Sequence, residues 1–171
     1  MAPPEITALH DQVSRAFLDW RDDVYRYFLT LGLSPPEAQD ATQEVFFRLY
    51  VALRKGGEEI RNQRGWVFRV AHNLGLTLSA QQSSTLPLDA HLELTLKDHK
   101  RSTEIGLIER EKLARMHGAL RELSPQQRQC LHMRADGLRY QEIADTLGVS
   151  ISTVSEFLRR ALVRLRKAVY E

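Results

Sequence analysis

Six histidines (His10, His72, His91, His99, His117 and His132), one cysteine (Cys130) and an aspartate cluster (Asp19, Asp22 and Asp23) are the side chains of this 171-residue sequence best suited to ligating a metal or activating a nucleophile. The histidines show no paired metal spacing with cysteine or carboxylate partners, and no glycine loop is built to cradle a phosphate. The aspartates fall near the polar side of an amphipathic segment, where solvated carboxylates are the norm, and Cys130 lies in an apolar helical stretch that suits a core residue. The expectation is a protein that is not an enzyme, with no catalytic residue, metal or cofactor. The chemistry that remains is binding. From Phe157 to Tyr170 there are five basic residues and no acidic one, an electrostatic footprint for phosphates. Glu156 places a carboxylate just ahead of that run. A carboxylate repels phosphate, but in the major groove it accepts a hydrogen bond from the exocyclic amine of cytosine. It can equally form an exposed intrahelical pair with Arg160 at the favoured spacing, worth about 0.2–0.5 kcal/mol, and the sequence leaves both roles open.

A helix pair must position these groups. On a helical wheel Ile151, Val154, Leu158, Ala161, Leu162, Leu165, Ala168 and Val169 share one arc. Ser152, Thr153, Ser155, Glu156, Arg159, Arg160 and Arg164 take the other, with Phe157 at the rim and Val163 the apolar exception. Ser150 is suited to cap this helix, and Ile143, Ala144, Leu147 and Val149 supply the apolar side of the helix and turn before it, joined at Gly148. A pair that buries one face and presents the other meets the helix-turn-helix requirement. Glu156 would then specify bases while Arg159, Arg160 and Arg164 mostly hold the DNA backbone.

The remainder reads as helical throughout. Val13, Phe17, Trp20, Val24, Phe28 and Leu31 recur at three- and four-residue steps and predict an amphipathic helix that stops at Gly32. A second helix opens on Ser34, Pro35 and Glu37, a capping box with proline at the first helical position, and runs to about Lys55 before Gly56 and Gly57. A third, from about Gly65 to Ala80, carries Val67, Val70, Ala71, Leu74 and Leu78 on one face. The polar stretch 81–103 reads as a linker, in which Leu92, Leu94 and Leu96 form either a short strand or a segment that docks on a partner. Helicity returns from about Glu104, and Ser124 to Gln127 repeat the capping device. The expected fold is all-α: two small helical domains, residues 1–80 and 104–171, joined by a linker.

Net charge is +2 overall, but it divides as −1 over residues 1–80, −1 over 81–112 and +4 over 113–171. The positive end is the end that carries the helix pair. In the second helix Ala38, Ala41, Thr42, Val45, Leu49, Ala52 and Leu53 form the expected buried arc, which leaves Phe47 nearly opposite, among Asp40, Gln43, Glu44, Tyr50 and Val51. An aromatic inside an acidic, amide-bearing patch fits a protein interface, with Phe47 as its anchor. A lone cysteine excludes an internal disulfide, and neither a charged leader with an apolar run nor an apolar stretch of about 20 residues is present, so a cytoplasmic protein without membrane insertion is expected.

The blocks "PEAQDATQEVFFRLY", "RGWVFRVAHNLGL" and "LSPQQRQCLHMRADGLRYQEIADTLGVSISTVSEFLRRALVRLRK" together resemble the extracytoplasmic-function group of bacterial sigma factors. The likeness covers nearly the whole chain apart from the linker. It implies a sigma region 2-like domain that docks on the clamp helices of the RNA polymerase largest subunit through Asp40, Gln43, Glu44, Phe47, Tyr50 and Val51, and that recognises and opens the downstream promoter element. For that element it implies Trp66 and Asn73, which match the family, and Asn62, Gln63 and Arg64 in the loop that captures an unstacked base. It implies a region 4-like domain whose Ser152, Thr153, Ser155, Glu156, Arg159 and Arg160 face the upstream element. The implied partners are core RNA polymerase, promoter DNA and an anti-sigma factor.

Two departures stand out. After Asn73 the family commonly carries basic residues where this chain has Thr77, Ser79, Ala80, Gln81 and Gln82. In the recognition helix it often has basic, small and basic residues where Ser155, Glu156 and Phe157 stand. The first implies weaker backbone attraction at the downstream element, the second a promoter unlike the family's usual ones. The rival reading is a stand-alone helix-turn-helix regulator that binds its operator as a dimer without polymerase.

Overall fold

The computed structural model describes residues 4–56, 60–82 and 106–170. Every regular element among them is an α-helix, as expected, and the chain divides into two compact units, 1–91 and 92–171. Leu92, Leu94 and Leu96, for which a strand or docking segment was expected, lie outside the described residues, as do Glu58 and Glu59 of the loop for which base capture was expected.

The first unit holds α1 (Pro4–Thr30), α2 (Pro35–Arg54) and α3 (Gln63–Gln81), each in contact with the other two. α1 ends because Gly32 turns left-handed at φ 94°, which lets the N–H of Leu33 reach back to the Phe28 carbonyl at 3.2 Å and drives Leu33 fully into the core. One residue later the Glu37 carboxylate accepts the Ser34 N–H at 2.9 Å, so α2 starts with an orphan donor satisfied. α3 begins at Gln63, two residues before the expected start, because the Asn62 side-chain oxygen accepts the Gly65 N–H at 3.0 Å.

Val24, Tyr27 and Phe28 of α1, Val45 and Leu49 of α2, and Val67, Phe68 and Ala71 of α3 form the core of this unit. Burying each large apolar side chain contributes about 1.5–3 kcal/mol relative to leaving it in water. Phe46, outside the expected arc, is also buried, because Phe17 of α1 meets it edge-on at 5.2 Å. Gly75 lets α3 approach α1: a methyl group there would stand 2.4 Å from Leu31 Cδ1 and 3.1 Å from the Phe28 ring.

The second unit holds α4 (Leu107–Arg121), α5 (Pro125–Ala135), α6 (Tyr140–Leu147) and α7 (Ile151–Tyr170). Ser124 caps α5 with its hydroxyl accepting the Gln127 N–H at 3.2 Å while the Gln127 side chain accepts the Ser124 N–H at 3.1 Å. α4, α5 and α6 all pack on α7; its Val154, Leu158 and Ala161 are buried, as are Leu123, Cys130, Met133, Leu138 and Ile143 from the rest of the unit. Cys130 is a core thiol, pushed by burial up to about 11 and so kept from thiolate chemistry. Ile151 and Leu162 depart from the expected arc and are 46% and 56% exposed. Both lie on its margin, one flank away from the Val154–Leu158–Ala161 line, beyond the face that the three other helices cover.

Tyr27 and His72 are a buried polar pair, hydroxyl to Nδ1 at 2.8 Å. Burial lowers the His72 pKa from its ordinary value of 6.5. The unfolded chain therefore binds a proton at this site that the folded chain refuses, and the stability contribution is complete above about pH 6.5 and is lost as pH falls toward the depressed folded value. Thermal melts at pH 7.5 and 5.5 should show a drop in the midpoint of the first unit on acidification, and a His72→Phe variant should show a smaller drop; equal acid sensitivity of the two proteins would exclude His72 as its source.

Candidate functional site

The helix-turn-helix of the second unit depends on Gly148. Its φ of 66° is left-handed, and it allows the Val149 N–H to bond the Ala144 carbonyl at 3.1 Å, closing α6 and redirecting the chain into α7. α7 is then capped by Ser150, whose hydroxyl accepts the Thr153 N–H at 3.1 Å and lies 2.8 Å from the hydroxyls of both Ser152 and Thr153. Opposite the buried Val154, Leu158 and Ala161, the helix presents Ser152, Glu156, Arg159 and Arg160 along one outward stripe, with Ser155 beside it.

Glu156 is the centre of that stripe. Arg159 donates to it through both Nε (2.8 Å to Oε2) and Nη2 (2.9 Å to Oε1), and Arg160 Nε donates to Oε1 at 2.5 Å. Hydrogen bonds from Arg159 first and Arg160 second hold the carboxyl at about 2, far below its ordinary range, so it is an anion at every physiological pH. Of the two roles open to Glu156, the intrahelical pair thus exists, and it engages two arginines instead of one. Arg164 has a different setting. It lies on the flank toward α4, where Nη1 donates to the Glu122 carbonyl at 2.8 Å and Nε meets the Glu122 carboxylate at 3.4 Å, so it closes the C-terminus of α4.

On the first unit, Phe47 is 62% exposed and Leu18 66%. They border a surface groove of about 490 Å³ between α1 and α2, lined by Val13, Phe17 and Leu18 from one helix and Gln43, Phe47 and Tyr50 from the other. His10 closes one end with its ring edge-on to Tyr50 at 5.3 Å. Of the residues expected to form a patch, Gln43, Phe47 and Tyr50 come together here; Asp40 is exposed, Glu44 pairs with Arg48 at 2.7 Å, and Val51 is half-buried. The α1 wall was not foreseen from sequence, although Leu18, an apolar residue off the buried stripe of its helix, is the signal that marks it.

The residues expected at the downstream element are divided. Asn62 is the α3 cap, and Arg64 Nη2 meets Asp23 at 3.3 Å, so both also serve the fold. Gln63 lines a small depression with Gln12, Asp19 and Trp20 of α1. Trp66 is half-buried and Asn73 exposed on α3. Beyond Asn73, Thr77 folds back on the Asn73 carbonyl at 3.0 Å, and Gln82 donates to Glu37.

Among the described residues no group of three or more His, Cys, Asp or Glu side chains could hold a metal ion, and no helix is long and apolar enough to cross a membrane. Residues 16–85 match the family model for sigma-70 region 2, and residues 113–165 match that for sigma-70 region 4. The chain belongs to the extracytoplasmic-function (ECF) sigma factor family. The two helical units are those of sigma regions 2 and 4. The ECF RNA polymerase sigma factor BldN of Streptomyces coelicolor is 28% identical over 161 residues, an overlap of 92% of this chain and 60% of BldN; the chain thus spans about three-fifths of that relative's length. In fold it is similar to CnrH, solved in complex with the cytosolic domain of CnrY, at a TM-score of 0.64 with 21% identity over 92% of this chain and 87% of CnrH. It is also similar to RpoE from Bartonella quintana, solved with the anti-sigma factor NepR, at a TM-score of 0.61 with 18% identity over 91% of this chain and 95% of RpoE.

The Arg164 bond to the end of α4 makes a stability prediction. Arg164→Ala should destabilise the second unit by about 0.5–1 kcal/mol, a charge-assisted bond discounted for its half-exposed setting, with Arg164→Lys intermediate. Urea unfolding followed by helical signal measures this; an unchanged midpoint in Arg164→Ala would mean that the bond contributes nothing in solution.

Proposed function

We propose that this chain is a bacterial sigma factor that joins core RNA polymerase through α2 of its first unit and directs initiation at promoters whose upstream element is read by α7. The observation that carries the docking half is Phe47, a large aromatic 62% exposed on the region 2 match, with the acidic and amide side chains of Asp40 and Gln43 on the same helix. An aromatic so placed adds nothing to its own core and is suited to anchor a partner helix. The groove beside it supplies a further apolar wall for the polymerase clamp helices. In this reading residues 1–80 dock and engage the downstream element, 81–103 tether, and 104–171 read the upstream element.

At the downstream element Gln63, Trp66 and Asn73 are the proposed contacts, with Asn62 and Arg64 able to contribute only what their structural bonds leave over. The stretch after Asn73 offers hydroxyls and amides instead of cations, so fewer phosphates are neutralised and promoter opening leans more on polymerase. An anti-sigma partner belongs to the same proposal, supported by the complex of RpoE with NepR. A cytoplasmic location goes with these partners.

A stand-alone regulator would bind its operator without polymerase, and the acidic surroundings of Phe47 fit a heterologous docking surface better than a dimer seam. Run-off transcription with core polymerase separates the two. Wild type should direct initiation, and Phe47→Ala should lose at least about tenfold in affinity for core enzyme, on the order of 1.4 kcal/mol, with its melting temperature unchanged. Initiation that does not need this chain would refute the sigma assignment, and equal affinity of the variant would remove Phe47 as the anchor.

A further inference from the structure

Glu156 and its two arginines form a small closed system on the outward stripe of α7. A carboxylate offers about four lone-pair positions. Oε1 accepts from Arg159 Nη2 and from Arg160 Nε, and Oε2 accepts from Arg159 Nε. One position on Oε2 is left, and no third guanidinium stands within salt-bridge distance of the carboxylate among the described residues. The side chain of Glu156 is 39% exposed, those of Arg159 and Arg160 63% and 62%. Each guanidinium has N–H groups to spare, since each carries five donors in all. The stripe therefore presents one anionic acceptor of fixed direction, flanked by unused cationic donors and by the hydroxyl of Ser152 one turn before.

We infer that Glu156 is a specificity-determining residue that accepts the exocyclic amine of a cytosine through the remaining Oε2 position, with Arg159 and Arg160 acting as positioning residues that lock its rotamer and turn their spare N–H groups to the flanking phosphates. This rests on the reading of α7 as the upstream-element helix. A free glutamate on a solvated helix samples several rotamers and is repelled by the DNA backbone. Held by two arginines it has one orientation, and the triad as a whole carries a net positive charge, so it can enter a groove lined with phosphates. Two contributions would otherwise conflict. The arginines alone bind any sequence, whereas the carboxylate alone binds none. Joined, they form a unit that approaches the duplex without sequence preference and then discriminates at one base pair.

The same geometry admits one other role, which the test must separate from base reading. If Glu156 only occupied the arginines, it would act as an electrostatic brake, weakening attraction to every sequence equally. Selection of duplexes from a randomised pool by the full chain bound to core polymerase distinguishes the two. Wild type should select cytosine at one position of the upstream element. Glu156→Gln, which keeps the shape but replaces one acceptor with a donor, should turn that position toward adenine, because a carboxamide pairs bidentately with adenine N6 and N7. Glu156→Ala should leave the position without preference, and other positions should be unaffected. Arg159→Lys keeps the charge but loses the fork, and should relax selection at the same position by several-fold while overall affinity stays within about twofold.

A uniform gain in affinity for all duplexes in Glu156→Gln, with the base preference unchanged and a steeper salt dependence, would overturn the inference in favour of the brake. A wild-type holoenzyme that selects an upstream element while all three variants select the identical one would do the same without touching the sigma assignment. Failure of the chain to join polymerase at all would instead refute the assignment on which the inference rests.

Discussion

α7 has to do two incompatible things, and the second unit is organised by that requirement. One face of the helix is the floor on which α4, α5 and α6 all rest, through Val154, Leu158 and Ala161. The opposite face has to stay clear of protein. The division is possible only if the chain enters α7 at a fixed angle, and the left-handed turn at Gly148 sets that angle. A residue with a Cβ there would be strained by its backbone conformation alone, before any contact with a neighbour. With that turn in place, the direction of every side chain from Ser152 to Arg160 follows from helical geometry.

The first unit meets a milder version of the same constraint. Its core is closed by large aromatics, with Tyr27, Phe28 and Phe68 fully buried, and Gly75 brings α3 close enough to α1 for them to meet. That leaves α2 with a buried side and a free side. Phe46 and Phe47 are adjacent in sequence yet have opposite fates, one covered by Phe17 and the other open beside the α1 groove. Charged and amide groups near helix ends are used in several places as structural ties. Asn62 caps α3, Arg64 meets Asp23, Gln82 bonds Glu37, and Arg164 closes α4. A side chain so engaged has fewer donors for a nucleic acid than its residue type implies.

Most of the architecture was legible in the sequence because helix starts and stops are encoded locally. Ser34 with Glu37, Ser124 with Gln127, Gly32 and Gly148 each fix a boundary through bonds spanning a few residues, and the boundaries fall within a few residues of expectation. Exposure of Phe47 followed from periodicity for the same reason. What periodicity could not supply was tertiary. The burial of Phe46 needs Phe17 from another helix, and the exposure of Ile151 and Leu162 depends on how wide a face three neighbours cover. Arg164 reads as one more cation in a basic run until the position of Glu122, 42 residues earlier in the chain, is known. The wall that α1 adds to the Phe47 groove is of the same kind: Leu18 is visibly out of place on its own helix, but only the packing of α1 on α2 says what it lies beside.

A modest overall charge is consistent with this design. Five cations follow Phe157, and a helix carrying them without relief would bind any duplex, with an affinity falling steeply in salt. Glu156 engages two of them and Glu122 a third, so part of the positive charge is spent inside the protein before DNA is met. Under the proposed function, in which polymerase delivers the chain to promoters, indiscriminate attraction is a liability, because competing sites vastly outnumber specific ones. Sequence preference grows when the contacts that remain are directional. In the proposed reading, internal pairing lowers the affinity that all sequences share and leaves the geometry of the outward stripe to decide among them, which gives the acidic residue in the middle of a basic helix a physical purpose.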